Sequence, residues 1–309
     1  MSYSEENEKN NVNRNIIFDT DPGNDDAIAL FLLSKFSVKP SIIFTTYGNT
    51  SLNNTTRNAK LLNKYLNINA KIARGASCSL SGEHAEGSDY HGTDGLGETA
   101  KDLMKLFDYE ESKDELTIND VKDYILNNNH ITYIAIGPLT NLATLINMDS
   151  RIKDHIDNVY IMGGGIYKFD WKYDSEFNFF TDPKAVEIVL ESGLNITMFP
   201  CDITQKYPVL ESLITKLKDT KKYEYLVRMM GRIYHQSTTV NGAIGAYIYD
   251  PFLALYVANP EKFELIDMKL ISNEYGHIEQ SENGHLVHVA MSLKDKDLFI
   301  NKLLEGFKS

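Results

Sequence analysis

Short apolar runs alternate along this chain with longer stretches of helical spacing. NIIFDTD (15–21), SIIFTTYG (41–48), AKIARGA (70–76), ITYIAIG (131–137), NVYIMGG (158–164) and NITMFPC (195–201) have the length and apolar content of buried strands. Between them, DDAIALFLLSKF (25–36), SLNNTTRNAKLLNKYL (51–66) and the stretches 118–128, 139–147 and 183–192 carry helical patterns. The first opens on aspartates suited to a helix N-terminus, and Ser51 supplies an N-cap for the second. Strand and helix in alternation predict an α/β fold, a mostly parallel central sheet flanked by helices in a Rossmann-like arrangement. The C-terminal ELIDMKLISNEYGHIEQSENGHLVHVAMSL reads as an antiparallel addition with Asn283-Gly284 as its hairpin turn. DKDLFINKLLEGF then closes the chain as an amphipathic helix. With no internal repeat and no linker, a single domain is expected over 15–309, after a polar, disordered tail at 1–14.

Ligands of such sheets bind beyond the carboxyl ends of the strands, and the polar clusters fall there. Asp19 and Asp21 end the first strand, Asn49 follows the second, and Thr140 and Asn141 follow the fourth. MGGG ends another, and the loop KFDWKYDSEFNFF comes straight after it. IIFDTDPGNDD (16–26) gathers Asp19, Asp21, Asn24, Asp25 and Asp26 at a strand-to-helix turn tightened by Pro22-Gly23. Either a cation sits there, or Asp25 and Asp26 serve only as first-turn helix acids while the others face water. Asp21, Asp25 and Asp26 can converge on one point, as a hard cation with oxygen ligands requires, although the spacing is not that of an EF-hand. CSLSGEHAEGSDYHGTDGLGET (78–99) is Gly-rich and aperiodic, the mark of an active-site flap.

The formal net charge of −12 argues against nucleic acid and against an anionic membrane surface. Cys78 and Cys201 fall in no ligand pattern and read as reduced, structural thiols. His84, His130, His155, His277, His285 and His288 are scattered without ligand spacing. No signal peptide precedes residue 15 and no run approaches a membrane span, so a soluble cytoplasmic protein is expected.

DTDPGNDDA (19–27) resembles the N-terminal signature of the nucleoside hydrolases, the inosine–uridine-preferring family that cleaves N-ribosidic bonds using bound calcium. YGNTSLNNTTRNA, HGTDGLG, IGPLTNLA, IMGGG, SEFNFFTDPKAV and YIYDPFLAL resemble the family's later motifs, in the family's order. The resemblance implies calcium-dependent hydrolysis of ribonucleosides to ribose and free nucleobase. It implies Asp21, Asp26, Asp250 and the Thr140 backbone carbonyl as calcium ligands, with Asp21 also the general base on the attacking water. Asp25, Asn49, Glu176 and Asn178 would hydrogen-bond the ribose hydroxyls, with Met162 packed nearby. An acidic pocket suits the oxocarbenium-like charge of such a cleavage, and a substrate without phosphate needs no basic cradle. A homodimer or homotetramer is implied as well.

Two positions depart from the family pattern. Asn24 replaces the usual aliphatic residue, and Tyr249 stands where a His usually precedes the last calcium-binding Asp. Tyrosine, with a pKa of about 10, gives up a proton to a leaving base far less readily than imidazolium. His91 in the flap, and Tyr234 or His235 before STTVNGAIG, are therefore candidate proton sources, with Tyr249 contacting the base. A second reading is a catalytically impaired nucleoside- or ribose-binding protein that kept the metal site. A third takes FDTD as a phosphatase pair, Asp19 attacking and Asp21 acting as acid; it calls for magnesium and a basic phosphate contact.

Overall fold

The computed structural model describes residues 15–84 and 87–308, so the tail expected at 1–14 lies outside the described residues. Every apolar run above becomes a strand: β1 (Asn15–Thr20), β2 (Ile42–Thr45), β3 (Lys71–Arg74), β4 (Ile131–Ala135), β5 (Ile156–Met162) and β6 (Ile196–Phe199). They pair in parallel in the order β3-β2-β1-β4-β5-β6. The chain winds outward from β1 to β3, then returns to the other side of β1 at β4. That reversal opens a crevice at the carboxyl ends of β1 and β4, where doubly wound sheets bind ligands.

Alternation along β1 explains the two-faced core. Ile16 and Phe18 join the cluster on one side of the sheet and Ile17 the cluster on the other. Helix α1 (Asn24–Lys35) is buried on all sides from Asn24 to Leu33. It packs against the helices Glu224–His235, Pro251–Ala258 and Leu298–Lys308. Asp26 does cap this helix, accepting from the Gly23 amide, but Asp19 and Asp21 are buried as well, so the reading that left them to water does not hold. Helix α2 (Leu52–Tyr65) is capped as expected, the Ser51 hydroxyl accepting from the Asn54 amide at 3.4 Å.

The antiparallel addition is built differently from its expected form. β9 (His285–Leu293) lies parallel to β6, and β7 (Phe263–Ser272) pairs antiparallel with both β9 and β8 (Ile278–Gln280). The tight turn falls at 273–277, where Gly276 has φ +75°. Asn283-Gly284 instead carries the chain across β7 from one edge to the other. A Cβ on Gly284 would sit 2.6 Å from the Leu270 nitrogen, so the glycine serves close backbone approach rather than a hairpin φ. The sequence pattern names no element over 205–258, where helices Glu211–Leu217, Glu224–His235 and Pro251–Ala258 form. No helix among the described residues is long and apolar enough to cross a membrane.

Asp19 belongs to this framework. Its carboxylate accepts from the Tyr133 hydroxyl at 2.6 Å and from Asn141 Nδ2 at 2.9 Å, tying β1 to β4 and to the helix Thr140–Met148. Burial pushes its pKa up to about 7 in spite of both donors. Tyr133→Phe removes one donor from a buried carboxylate and is expected to cost about 1–3 kcal/mol. The folded pKa then rises further above the unfolded value, so stability is lost as pH climbs and the cost is larger near pH 8 than near pH 5. Urea unfolding at both pH values checks this; an equal cost at the two would reject the assignment.

Candidate active site

The acidic turn is held by its own backbone and by Asn49. Asp26 accepts from the Thr20 hydroxyl (2.5 Å), the Gly23 amide (2.9 Å) and Asn49 Nδ2 (3.0 Å). Asp21 Oδ2 accepts from the Asn49 amide at 2.7 Å. Gly48 permits that contact, since a Cβ there would lie 2.1 Å from the same oxygen. Asp25 Oδ2 accepts from the Tyr249 amide at 3.3 Å. Asp21 Oδ1 and Asp25 Oδ1 are buried with no hydrogen-bond partner. Oxygens of Asp25, Asp26 and Asp250 lie within 4.8 Å of one another, close enough to share one metal ion. Burial, then mutual repulsion, raises Asp21 and Asp250 well above the usual carboxylate range and Asp25 to about 7. Orphaned oxygens in a buried all-carboxylate cluster fit a cation.

Asp25 and Asp250 line a cavity of about 260 Å³ at the crevice, together with Asn49, His91, Met162, Glu176, Asn178 and Tyr249. Asp21 and Asp26 are fully buried and are not among the residues that line it. Thr140 does not line it either. Its hydroxyl donates to Asp182 at 2.7 Å and its carbonyl accepts from the Thr144 hydroxyl at 2.7 Å. The residue that lines the cavity just beyond β4 is Ile136, whose carbonyl accepts from Asn178 Nδ2 at 3.0 Å. Thr140 opens a helix, so its carbonyl points along the helix axis, whereas the residue leaving a strand end exposes its own to the crevice.

The loop after β5 builds the opposite wall. Glu176 caps the helix Phe177–Thr181, accepting from the amides of Asn178 (2.9 Å), Gly164 (2.9 Å) and Phe179 (3.1 Å). Asn178 braces the ends of β4 and β5 by donating to the Ile136 and Met162 carbonyls. Asp170, which sequence reasoning missed, also lines the cavity; it accepts from the Phe177 amide at 3.0 Å and from the Cys201 thiol. Burial lifts Asp170 to about 6, and burial followed by Asp170 lifts Glu176 to about 8. Sequence alone offered no means of separating Asp170 from the exposed Asp174 in the same loop.

The flap stretch forms the third wall. Tyr90 and His91 end the short helix Ser88–His91 and line the cavity. Arg232 Nε and Gln236 Nε2 donate to the Tyr90 and Asp89 carbonyls, and the Tyr90 and Ser237 hydroxyls meet at 2.9 Å. His91 Nδ1 accepts from the Asn24 amide at 3.1 Å, so its one ring proton sits on Nε2. Burial and then Arg232 push its pKa down to about 3, and the 3.9 Å approach of Nδ1 to Asp25 Oδ1 is therefore no ion pair. Tyr234 and His235 do not line the cavity; Gln236, Val240 and Asn241 of the following turn do. Asp19, engaged with Tyr133 and Asn141, does not line it either, so the phosphatase reading loses its nucleophile.

The sequence model of the inosine-uridine preferring nucleoside hydrolases matches residues 16–301. This chain belongs to that family. It is accordingly a nucleoside hydrolase, an enzyme of N-ribosidic bonds. A pyrimidine-specific ribonucleoside hydrolase of Shewanella baltica is 32% identical over 264 residues, 83% of this chain and 81% of the relative. Uridine nucleosidase 1 of Arabidopsis thaliana is 30% identical over 80% of this chain and 75% of its own. Among solved structures, a plant nucleoside hydrolase superposes with a TM-score of 0.87, covering 96% of this chain and 99% of that one at 23% identity, a likeness of fold. Each segment whose sequence resembles a family motif contributes at least one residue to the cavity. The sheet edge brings together every residue assigned from sequence to the ribose, namely Asp25, Asn49, Met162, Glu176 and Asn178, along with His91, Tyr249 and Asp250.

Proposed function

We propose that the protein hydrolyses the N-glycosidic bond of ribonucleosides to ribose and free nucleobase, with calcium as its resident ion. The observation that carries this reading is the buried aspartate cluster with two orphaned oxygens, at the crevice of a nucleoside hydrolase fold. Asp26 and Asp250 would hold the ion with Asp21, and the Ile136 carbonyl takes the place first given to Thr140. Bound there, calcium would lower the pKa of a water and gather the ribose diol within its coordination sphere of about six to eight oxygens. Asp21 takes the proton of the attacking water, since the Asn49 amide fixes Oδ2 and leaves Oδ1 without a partner. Asp25, Asn49, Glu176 and Asn178 hold the sugar hydroxyls, with the Glu176 carboxylate pinned by backbone amides. Positive charge developing on the ribose meets an anionic wall.

The relatives' names bring uridine to the fore among natural substrates. Turnover of uridine, inosine and p-nitrophenyl riboside by calcium-loaded protein tests the reading, and failure of all three overturns it. We assign His91 to the departing base as a neutral Nε2–H donor, not as an imidazolium. His91→Ala is then expected to lower kcat/KM for uridine about tenfold, the worth of one hydrogen bond. The parent's pH profile should show no falling limb near 6.5; such a limb, lost in His91→Ala, would restore His91 as the acid.

A further inference from the structure

We propose that the preferred substrates are ribosides whose base carries a fixed positive charge, N-ribosylpyridinium ions above all. This rests on the riboside-hydrolase reading and names the substrate class of the same cavity. Its walls carry carboxylates beyond the metal cluster, Asp170 and Glu176 within and the exposed Asp89 at the rim, and among the described residues no lysine or arginine. Asp170 accepts from the Phe177 amide and the Cys201 thiol and Glu176 from three backbone amides, while the two carboxyls repel each other. Between Asp170, lifted to about 6, and Glu176, lifted to about 8 by burial and by Asp170, one negative charge is retained near neutrality, and no lysine or arginine among the described residues lines the cavity to answer it.

The same cavity is lined by Tyr90, Trp171, Phe177 and Tyr249, with Trp171 and Phe177 edge-to-face at 4.9 Å between centroids. Aromatic faces combined with carboxylates are the usual chemistry for capturing a flat or quaternary nitrogen cation. The leaving-group side agrees. A neutral nucleoside must expel its base as an anion unless an acid protonates it. Tyr249 replaces the imidazole of the family pattern, and His91 spends Nδ1 on the Asn24 amide. A cationic base needs no acid. The C1′–N bond breaks with both electrons passing to the ring nitrogen, which becomes neutral. The water oxygen bonds to C1′ and its proton leaves to a carboxylate and then to solvent, so the products are ribose, a neutral pyridine and one proton.

The test compares kcat/KM of the calcium-loaded enzyme for N-ribosyl-3-carbamoylpyridinium, its 3-carboxylate analogue, uridine and p-nitrophenyl riboside. The two pyridinium rings share a leaving-group chemistry and differ in an added negative charge. The carboxamide is expected to exceed the carboxylate by about tenfold or more, and also to exceed uridine. Asp170→Asn should shrink the carboxamide-to-carboxylate ratio about tenfold, through removal of one nearby charge. In the parent enzyme, raising salt from about 0.05 M to about 0.5 M should lower kcat/KM for the cation more than for uridine. Equal rates for the two pyridinium ribosides, or a ratio unmoved by both Asp170→Asn and salt, overturn this proposal while uridine turnover keeps the broader reading. If uridine and p-nitrophenyl riboside are inert as well, the broader reading falls and takes this one with it.

Discussion

Exhaustive chelation is expected to abolish uridine hydrolysis, and calcium alone to restore it, with a stabilising effect that grows with pH. The cause is the crowding of Asp21, Asp25, Asp26 and Asp250, all buried, with no lysine or arginine among the described residues that line the adjoining cavity. Burial first, and neighbouring carboxylates second, raise Asp21 and Asp250 well above the ordinary range and Asp25 to about 7. A carboxyl whose folded pKa lies above its unfolded value makes the ion-free protein lose stability as pH climbs from about 4 through the folded pKa. A cation competes with those protons, so its affinity rises over the same window. At a thousandfold excess over Kd the ion adds about 4 kcal/mol. For a chain of 309 residues that is a Tm rise of roughly 6 °C. Elemental analysis, activity and thermal melts at about pH 5 and pH 8, with and without calcium, measure all three consequences. Full turnover in metal-free protein would remove the ion from the reaction, and a Tm gain larger at pH 5 would contradict the carboxylate account.

The second large effect is that of Asp21→Asn, expected to lower kcat by on the order of 10²–10⁴ with KM changed little. Asparagine keeps the shape and an oxygen for the Asn49 amide, and Gly48 and Gly137 leave room for a group of that size. What it loses is the carboxylate oxygen with no partner, the one free to take a proton. Metal content of the variant must be measured alongside, because loss of the ion would imitate loss of the base. A calcium-loaded Asp21→Asn enzyme within a few-fold of the parent rate would give the base role to another carboxylate, with Asp25 the remaining one that has an orphaned oxygen.

Much of the fold was legible because its signals are local. Six apolar runs bounded by polar clusters became six parallel strands, with ends trimmed by a few residues. The strand read at 41–48 stops at Thr45; beyond it Gly48, with φ +150°, lets the Asn49 amide reach Asp21. Helix Glu224–His235 carried a readable amphipathic spacing in Leu226, Met229, Met230 and Ile233, all buried. Helix Pro251–Ala258 did not, being buried on nearly every side, so periodicity has nothing to contrast. The Asn283-Gly284 pair misled because a glycine can answer either a positive φ or a close crossing of backbones, and the pair alone does not say which.

By itself the sequence determined the strand and helix order, the edge of the sheet that carries polar chemistry, and the residue types gathered there. Those follow from spacing along one stretch of chain, which periodicity and turn chemistry encode directly. Only the tertiary structure decided that Asp25 joins Asp26 and Asp250 within 4.8 Å and that Asp25 and Asp250, not Asp21 or Asp26, line the cavity. It alone set Ile136 rather than Thr140 against the cavity, brought Asp170 to the cavity wall, and bound His91 Nδ1 to an amide 67 residues away in sequence. Each of these depends on distances and burial set by segments that meet only after folding. Hydrogen bonds and carboxylate charges act through space over a few ångströms, so a residue's role is set by partners its own segment does not contain.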